Sequence, residues 1–148
     1  MRKKMFSAAA TCGLLAVVAV ATAFAQLPGR EVRATIPFDF SVRGKTLPAG
    51  DYEIRRLGDE PGGLVISSVN RKGERVIFET EPVEPRRIAG RGELVFHRYG
   101  DSYFLSEVLE AGGETGHELL PSRQERTLRR EMASNNQTQP ETVALAAY

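Results

Sequence analysis

Apolar and polar residues alternate near the start of the chain. From Val32 to Val42, in "VRATIPFDFSV", every second residue is apolar and the residues between are polar or proline. Alternation with a period of two predicts a β-strand with one buried and one solvent-exposed face. Pro37 lies within this strand, and proline has no backbone N–H to donate to a neighbouring strand. The pattern therefore predicts a long edge strand, or a strand with a bulge at Pro37.

The same alternation recurs in shorter segments separated by turn residues. Pro48 and Gly50 in "RGKTLPAG" are typical of a turn, after which Asp51 to Arg56 resumes the extended pattern. Further strands are predicted in "GGLVISSV", in "RVIFET" and in both arms of "ELVFHRYGDSYFLSEVLE". About six strands at such short spacing leave no room for parallel crossovers. We predict an all-β fold, an antiparallel meander that forms a small barrel or sandwich.

One helix is predicted after the last strand, in "LPSRQERTLRREMAS". Ser122, followed three residues later by Glu125, forms a capping box in which each side chain satisfies a backbone amide of the first turn. The next segment, "SNNQTQPET", is polar and rich in residues that interrupt regular structure. We therefore predict a β-rich domain over residues 26–133 with a C-terminal helix, followed by a flexible tail over residues 134–148.

An uncharged apolar segment begins the chain, directly after three basic residues at positions 2–4. It runs from Met5 to Ala25 and ends in "AFA", an arrangement typical of a secretory signal peptide. About 20 apolar residues would also suffice for a membrane anchor, but the alanine-rich composition and the cleavage pattern favour the signal peptide. We predict that residues 1–25 are removed and that the protein is exported, to the periplasm or outside the cell, with no stable transmembrane anchor after cleavage.

Removal of the signal peptide leaves 123 residues, with 17 Lys and Arg against 19 Asp and Glu. This near-neutral chain lacks the basic stripe that a nucleic-acid-binding protein presents, so no nucleic-acid partner is expected. Cys12 is the only cysteine and lies in the signal peptide, so the mature domain is cysteine-free. Without disulfides, the exported domain must be held together by its apolar core.

Four short motifs characterise the domain: the "IPFDF" strand, the "LPAG" turn followed by Tyr52, the "FHRYGDSYFL" hairpin and the "SRQER" helix start. In these motifs the chain resembles an uncharacterised family of small exported β-rich proteins of environmental bacteria. The resemblance spans roughly Val32 to Leu128 and implies a β-rich fold and export. It brings no catalytic residues with it.

The candidate polar site lies in "HRYGD" and consists of His97, Arg98, Tyr99 and Asp101. A histidine beside these groups could orient a substrate or act as a general base. A histidine on the polar side of a hairpin is more often a surface residue. His117 is the only other histidine, and the spacing of the two does not match a zinc pattern. We expect no metal site, no cofactor and no enzyme activity; a hydrolase that uses His97 is an alternative.

Six aromatic residues on the predicted strands form a candidate apolar pocket. A barrel around such a pocket would carry a lipid or another small apolar ligand. Barrels of fewer than about eight strands have packed interiors, so the six predicted strands favour a non-catalytic structural or protein-interaction module of the cell envelope. The edge strand Val32 to Val42 is the predicted surface for an envelope protein partner. The six aromatic residues are Phe38, Phe40, Tyr52, Phe78, Phe96 and Phe104.

Overall fold

The computed structural model describes residues 31–59, 61–85, 90–135 and 139–148. The predicted signal peptide and its cleavage site lie outside these ranges. The described residues form eleven strands and one α-helix. In chain order these are β1 (Val32–Ile36), β2 (Phe40–Val42), β3 (Lys45–Leu47), β4 (Gly50–Arg56), β5 (Gly63–Ser68), β6 (Arg75–Glu79), β7 (Glu81–Val83), β8 (Glu93–Tyr99), β9 (Ser102–Leu109), β10 (Gly116–Glu118), α1 (Arg123–Ser134) and β11 (Glu141–Ala146).

The strands form two sheets. The first sheet has the order β1-β4-β5-β6 and is antiparallel throughout. The second sheet has the order β11-β8-β9-β10-β7, and the short β2–β3 hairpin joins it with β2 parallel to β9. The predicted all-β class with one helix is confirmed. The parallel β2–β9 pair departs from a simple meander.

Both sheets pack their inner faces on one apolar core. In β1, Val32, Ala34 and Ile36 are buried while Arg33 and Thr35 are exposed, as the alternation predicts. Burying a large apolar side chain contributes roughly 1.5–3 kcal/mol to stability. The core also contains Tyr52, Ile54, Leu64, Ile66 and Phe78 from the first sheet, and Phe40, Val42, Leu47, Leu94, Phe96, Leu105 and Val108 from the second.

The first strand is shorter than predicted. β1 ends at Ile36, and β2 begins only after Pro37 and two further residues. All of β2 is buried because it lies between β3 and β9. Arg43 and Gly44 join β2 to β3 with positive φ, as a tight hairpin turn requires. The predicted edge strand Val32 to Val42 is therefore wrong beyond Ile36, because proline ends the pairing.

The predicted flexible tail over residues 134–148 is wrong where the structure describes it. Glu141–Ala146 forms β11, which pairs with β8 along its whole length. Val143 and Leu145 pack against the core, and Ala147 is buried. These three apolar residues alternate with a period of two, a strand signal that the polar residues before them obscure. The helix therefore lies within the fold and a further strand follows it.

Two seams join the sheets. At the Thr80 seam, the chain passes directly from β6 in the first sheet to β7 in the second, and the N–H and hydroxyl of Thr80 each donate to the Gly62 carbonyl at 2.9 Å. At the Tyr148 seam, the N–H of Tyr148 donates to the Arg33 carbonyl at 2.9 Å, and the N–H of Arg33 donates to the Tyr148 carbonyl at 3.0 Å. The chain segment after β11 thereby extends the second sheet to the edge of β1.

Helix α1 lies on the face of β8 that points away from the core. Its N-cap is Ser122, whose hydroxyl accepts from the N–H of Glu125 at 3.1 Å, as the capping box predicts. The Glu125 carboxylate does not complete the box. It points instead toward β8, where only 4% of the residue remains exposed. Among the described residues, no helix is both long and apolar enough to cross a membrane.

Candidate functional site

His97, Tyr99 and Glu125 form a cluster between β8 and α1. The ring nitrogen Nδ1 of His97 lies 3.0 Å from Glu125 Oε1, and the Tyr99 hydroxyl donates to the same oxygen at 3.4 Å. An ionised carboxylate can only accept hydrogen bonds, so Nδ1 of His97 carries the hydrogen. The cluster provides hydrogen-bond donors to the buried carboxylate of Glu125 and thereby holds the first turn of the helix on the sheet.

Burial raises the pKa of Tyr99 to about 12, and the negative charge of Glu125 acts in the same direction. The positive charge of Arg129 lowers this pKa and offsets part of the effect. The phenol therefore remains protonated well above neutral pH and continues to donate to the carboxylate. This chemistry stabilises the contact between helix and sheet.

The other two residues of the candidate polar site lie elsewhere. The Arg98 side chain donates to the Gly100 carbonyl at 2.8 Å and pairs with Glu141 of β11 at 3.2 Å. Its guanidinium also lies 5.5 Å from the centre of the Tyr103 ring. Asp101 is exposed in the hairpin turn. The structure thus brings together His97 and Tyr99, and it separates Arg98 and Asp101 from them.

His117 lies on β10 and is buried at the Thr80 seam. Its Nδ1 is 3.2 Å from the Thr80 hydroxyl oxygen, and its Nε2 is 3.3 Å from a guanidinium nitrogen of Arg56 and 3.6 Å from a carboxylate oxygen of Glu110. The Thr80 hydrogen goes to the Gly62 carbonyl, so Nδ1 of His117 donates and Nε2 accepts from Arg56. Sequence reasoning missed this cluster because its members lie far apart along the chain.

The six aromatic residues of the candidate pocket mostly fill the core. Phe40 meets Tyr52 and Phe96 edge to face, with ring centres 5.1 and 5.6 Å apart. Phe38 stacks on Tyr103 with ring centres 3.8 Å apart, and Phe78 is buried in the same core. Such contacts between rings are typical of a packed interior. Phe104 differs, because it contacts Tyr99 beneath the helix.

Three cavities on the surface of the described residues are lined by none of these six aromatic residues. One of these cavities, about 770 Å³, lies between the β2–β3 turn and the start of α1, and a second of about 500 Å³ adjoins the Tyr148 seam. The third, about 360 Å³, is lined by His97 alone of the candidate polar site. Within the described ranges, no group of three or more His, Cys, Asp or Glu residues is arranged to hold a metal ion. The glutamates of the third cavity are Glu84, Glu93, Glu107 and Glu118.

β6 is an edge strand of the first sheet. It pairs with β5 on one side, and no other described strand pairs with its outer side. The carbonyl of Glu74 and the N–H of Thr80, at the two ends of β6, both bond toward β5. Residues that bond to one neighbour alternate with residues that face the other side in an antiparallel ladder. The backbone groups that face outward therefore belong to Arg75, Ile77 and Glu79, which we call the β6 edge.

The side chains of the β6 edge are all exposed. Ile77 is 55% exposed, although it is a large apolar residue, and it lies across from the half-buried Val65 of β5. Arg75 and Glu79 have exposed charged side chains on either side of it. The Lys45 ammonium donates to the Arg75 carbonyl at 3.3 Å, which covers one end of the edge. The other outward-facing backbone groups of the β6 edge bond to no residue that the structure describes.

No protein-family model, curated protein or solved structure matches this chain.

Proposed function

We propose that the protein is an exported, non-catalytic interaction module of the bacterial cell envelope, which binds a protein partner by strand addition at the β6 edge. The observation that carries the proposal is the exposed Ile77 on a strand whose outward N–H and C=O groups, apart from the Arg75 carbonyl, bond to no other described residue. An open edge strand is a template for another strand, and backbone hydrogen bonds then give affinity. Export is supported by the signal-peptide pattern of the first 25 residues.

The β6 edge is a better docking surface than β1. The backbone N–H and C=O of Arg33, which face outward from β1, are both bonded to Tyr148. Further along the predicted edge, β2 is enclosed by its neighbours. We therefore propose Arg75–Glu79 as the partner surface, in place of the Val32 to Val42 strand that the sequence predicts.

The contacts of the polar side chains favour binding over catalysis. His117 is buried and enclosed by Thr80, Arg56 and Glu110, whereas His97 lines a surface cavity and contributes to the contact between helix and sheet through Glu125. Catalytic bases need access to a substrate proton at hydrogen-bond distance. The carrier alternative loses its support because the aromatic residues that would line the pocket pack against one another.

The test places a photo-crosslinking amino acid at position 77 of the full-length chain, in the bacterium that produces it. The matched control carries the same group at Leu120, which is 50% exposed outside β6. We expect crosslinks to a protein in the envelope fraction at position 77 and none of these at position 120. The recovered chain should have a mass that lacks residues 1–25.

Either of two results contradicts the proposal. The first is an absence of crosslinked protein at position 77, and the second is the same set of crosslinks at both positions. A recovered mass that includes residues 1–25 contradicts the cleavage of the signal peptide.

A further inference from the structure

We infer that the β6 edge pairs with the β6 edge of a second copy of this chain, giving a two-fold symmetric dimer. This inference rests on the proposed function, because it uses the same edge and names the partner. The sequence of β6 is Arg75-Val76-Ile77-Phe78-Glu79, with opposite charges at its ends and a large apolar residue at its centre. A strand with this pattern is complementary to itself when it is paired antiparallel.

The geometry follows from the outward-facing backbone groups. In a two-fold interface, each residue meets a partner residue that makes the same contact in return. An axis through Ile77 sets the two copies of Ile77 opposite each other, and it sets Arg75 of each chain opposite Glu79 of the other. All three residues have backbone groups directed outward, so each such pair exchanges both of its hydrogen bonds.

The charges on the edge favour this register. Arg75 and Glu79 are exposed and form no ion pair or side-chain hydrogen bond with another residue in the part of the chain that the structure describes. Opposite charges directly across from each other stabilise an antiparallel pair, and like charges destabilise it. In the antiparallel dimer, each charged end of one edge lies across from the opposite charge of the other edge. A parallel alignment would place like charges across from each other.

The apolar side chains favour the same arrangement. Ile77 is 55% exposed and neighbours Val65 on the outer face of the first sheet. Pairing two edges brings the two Ile77 side chains together and removes apolar surface from water. On the inner face, the half-buried Val76 would meet Phe78 of the second copy. The dimer would therefore extend the first sheet across the two chains.

The dimer should be weak. A contact confined to one short edge falls at the small end of the range of specific interfaces, where complexes are transient. Lys45 also donates to the Arg75 carbonyl, and this contact must be shared or exchanged when the edges pair. Lysine near an edge strand is a common device that limits aggregation. We expect a monomer–dimer equilibrium that depends on concentration and no larger assembly, because pairing consumes the edge.

Reversal of the edge charges provides a sharp test. Arg75→Glu makes both ends of the edge acidic, and Glu79→Arg makes both ends basic. Each single variant should be monomeric because its pairing would oppose like charges. An equimolar mixture should dimerise, because every Glu of one chain then faces an Arg of the other. The double variant R75E/E79R should recover dimerisation.

The measurement is sedimentation velocity of the purified mature chain, from about 1 μM to about 1 mM, a range that covers weak complexes. Circular dichroism and thermal unfolding verify that each variant is folded. The expected result is dimerisation of the wild type, the double variant and the mixture, with monomeric single variants. A monomeric wild type throughout this range would overturn the inference, and so would single variants that dimerise as the wild type does.

The two proposals fail in distinguishable ways. A chain that is monomeric in solution but crosslinks another envelope protein at position 77 contradicts the dimer and supports strand addition to a different partner. A chain that dimerises by the charge-reversal test but crosslinks only to itself in cells restricts the interaction to self-association. A chain that neither dimerises nor crosslinks at position 77 contradicts both.

Discussion

At the scale of single residues, the buried polar groups fix the elements of the fold to one another. Glu125 connects the helix to β8 through His97 and Tyr99. His117 connects β10 to Thr80 at the seam between the sheets. A buried polar group without a partner costs about 1–3 kcal/mol, so these contacts oppose loss of the helix and separation of the sheets.

The raised pKa of Tyr99 predicts a dependence of stability on alkaline pH. Its pKa is about 12 in the folded protein against 10.0 for an unperturbed tyrosine. Between these values the folded chain retains a proton that the unfolded chain releases, so the free energy of unfolding falls as pH rises. Below pH 10 this contribution is fully present. Tyr99→Phe should remove this part of the slope, and should also cost about 1 kcal/mol at neutral pH through the lost hydrogen bond.

Urea unfolding at several pH values below 10 and between 10 and about 12 measures this effect. Tyr148→Phe is the control because that side chain is 79% exposed. Burial also raises the pKa of Tyr52, so this residue contributes its own dependence of stability on alkaline pH, and that contribution is present in every variant. The interpretation fails if the wild type and Tyr99→Phe lose stability equally across this pH range.

At the scale of elements, the length of a segment decides how well its sequence predicts it. β1 and the N-terminus of α1 have clear signals, an alternating pattern in one case and a capping residue in the other. β3, β7 and β10 have three residues each, too few for a period to be recognised. These three strands account for most of the difference between the six strands predicted and the eleven observed, and the split at Pro37 and the strand β11 account for the rest. The class of fold is as predicted.

Gly62 provides a test of the Thr80 seam. Its φ is +87°, and a Cβ there would lie 2.5 Å from the Thr80 carbonyl oxygen. Gly73 has a similar φ of +89°, but nothing lies within 4 Å of a Cβ at that position. Left-handed backbone costs a residue with a side chain roughly 1–2 kcal/mol, which both substitutions to alanine incur. We expect Gly73→Ala to cost about that amount, and Gly62→Ala to cost about 3 kcal/mol or more because it also displaces the seam.

Chemical denaturation of the two variants, compared with the wild type, measures both costs. The difference between them isolates the steric part, because the two glycines have nearly the same φ. Equal losses of stability would contradict the close approach at the Thr80 seam.

At the scale of the whole molecule, the chain after the helix completes the second sheet. β11 covers the edge of β8, and Tyr148 then bonds to Arg33 on β1. The cluster of aromatic residues predicted as a pocket is the core between the sheets, with the exception of Phe104. Two of the four residues of the candidate polar site, His97 and Tyr99, converge on Glu125. Sequence reasoning assigned Glu125 to helix capping and did not place it beside these residues.

Deletion of Tyr148 tests the second seam. The deletion removes both hydrogen bonds to Arg33, and we expect it to cost about 1–2 kcal/mol at about 1 kcal/mol for each bond. Tyr148→Ala is the matched control because it retains these backbone bonds and removes an exposed side chain. This substitution should change stability by no more than about 0.5 kcal/mol. Amide hydrogen exchange at Arg33 should accelerate only in the deletion, and equal exchange rates in both variants would show that the seam does not form.

The amino-acid sequence by itself determined which faces of its longer strands are buried, where the helix begins and that the fold is all-β. These properties depend on neighbours within a few residues, so a period or a cap is sufficient to predict them. Only the tertiary structure decided the pairing of Tyr148 with Arg33, the contact of Glu125 with His97, and the outer side of β6 that no described strand covers. Each depends on where residues far apart along the chain meet, and such contacts reflect the packing of the whole core more than any local pattern.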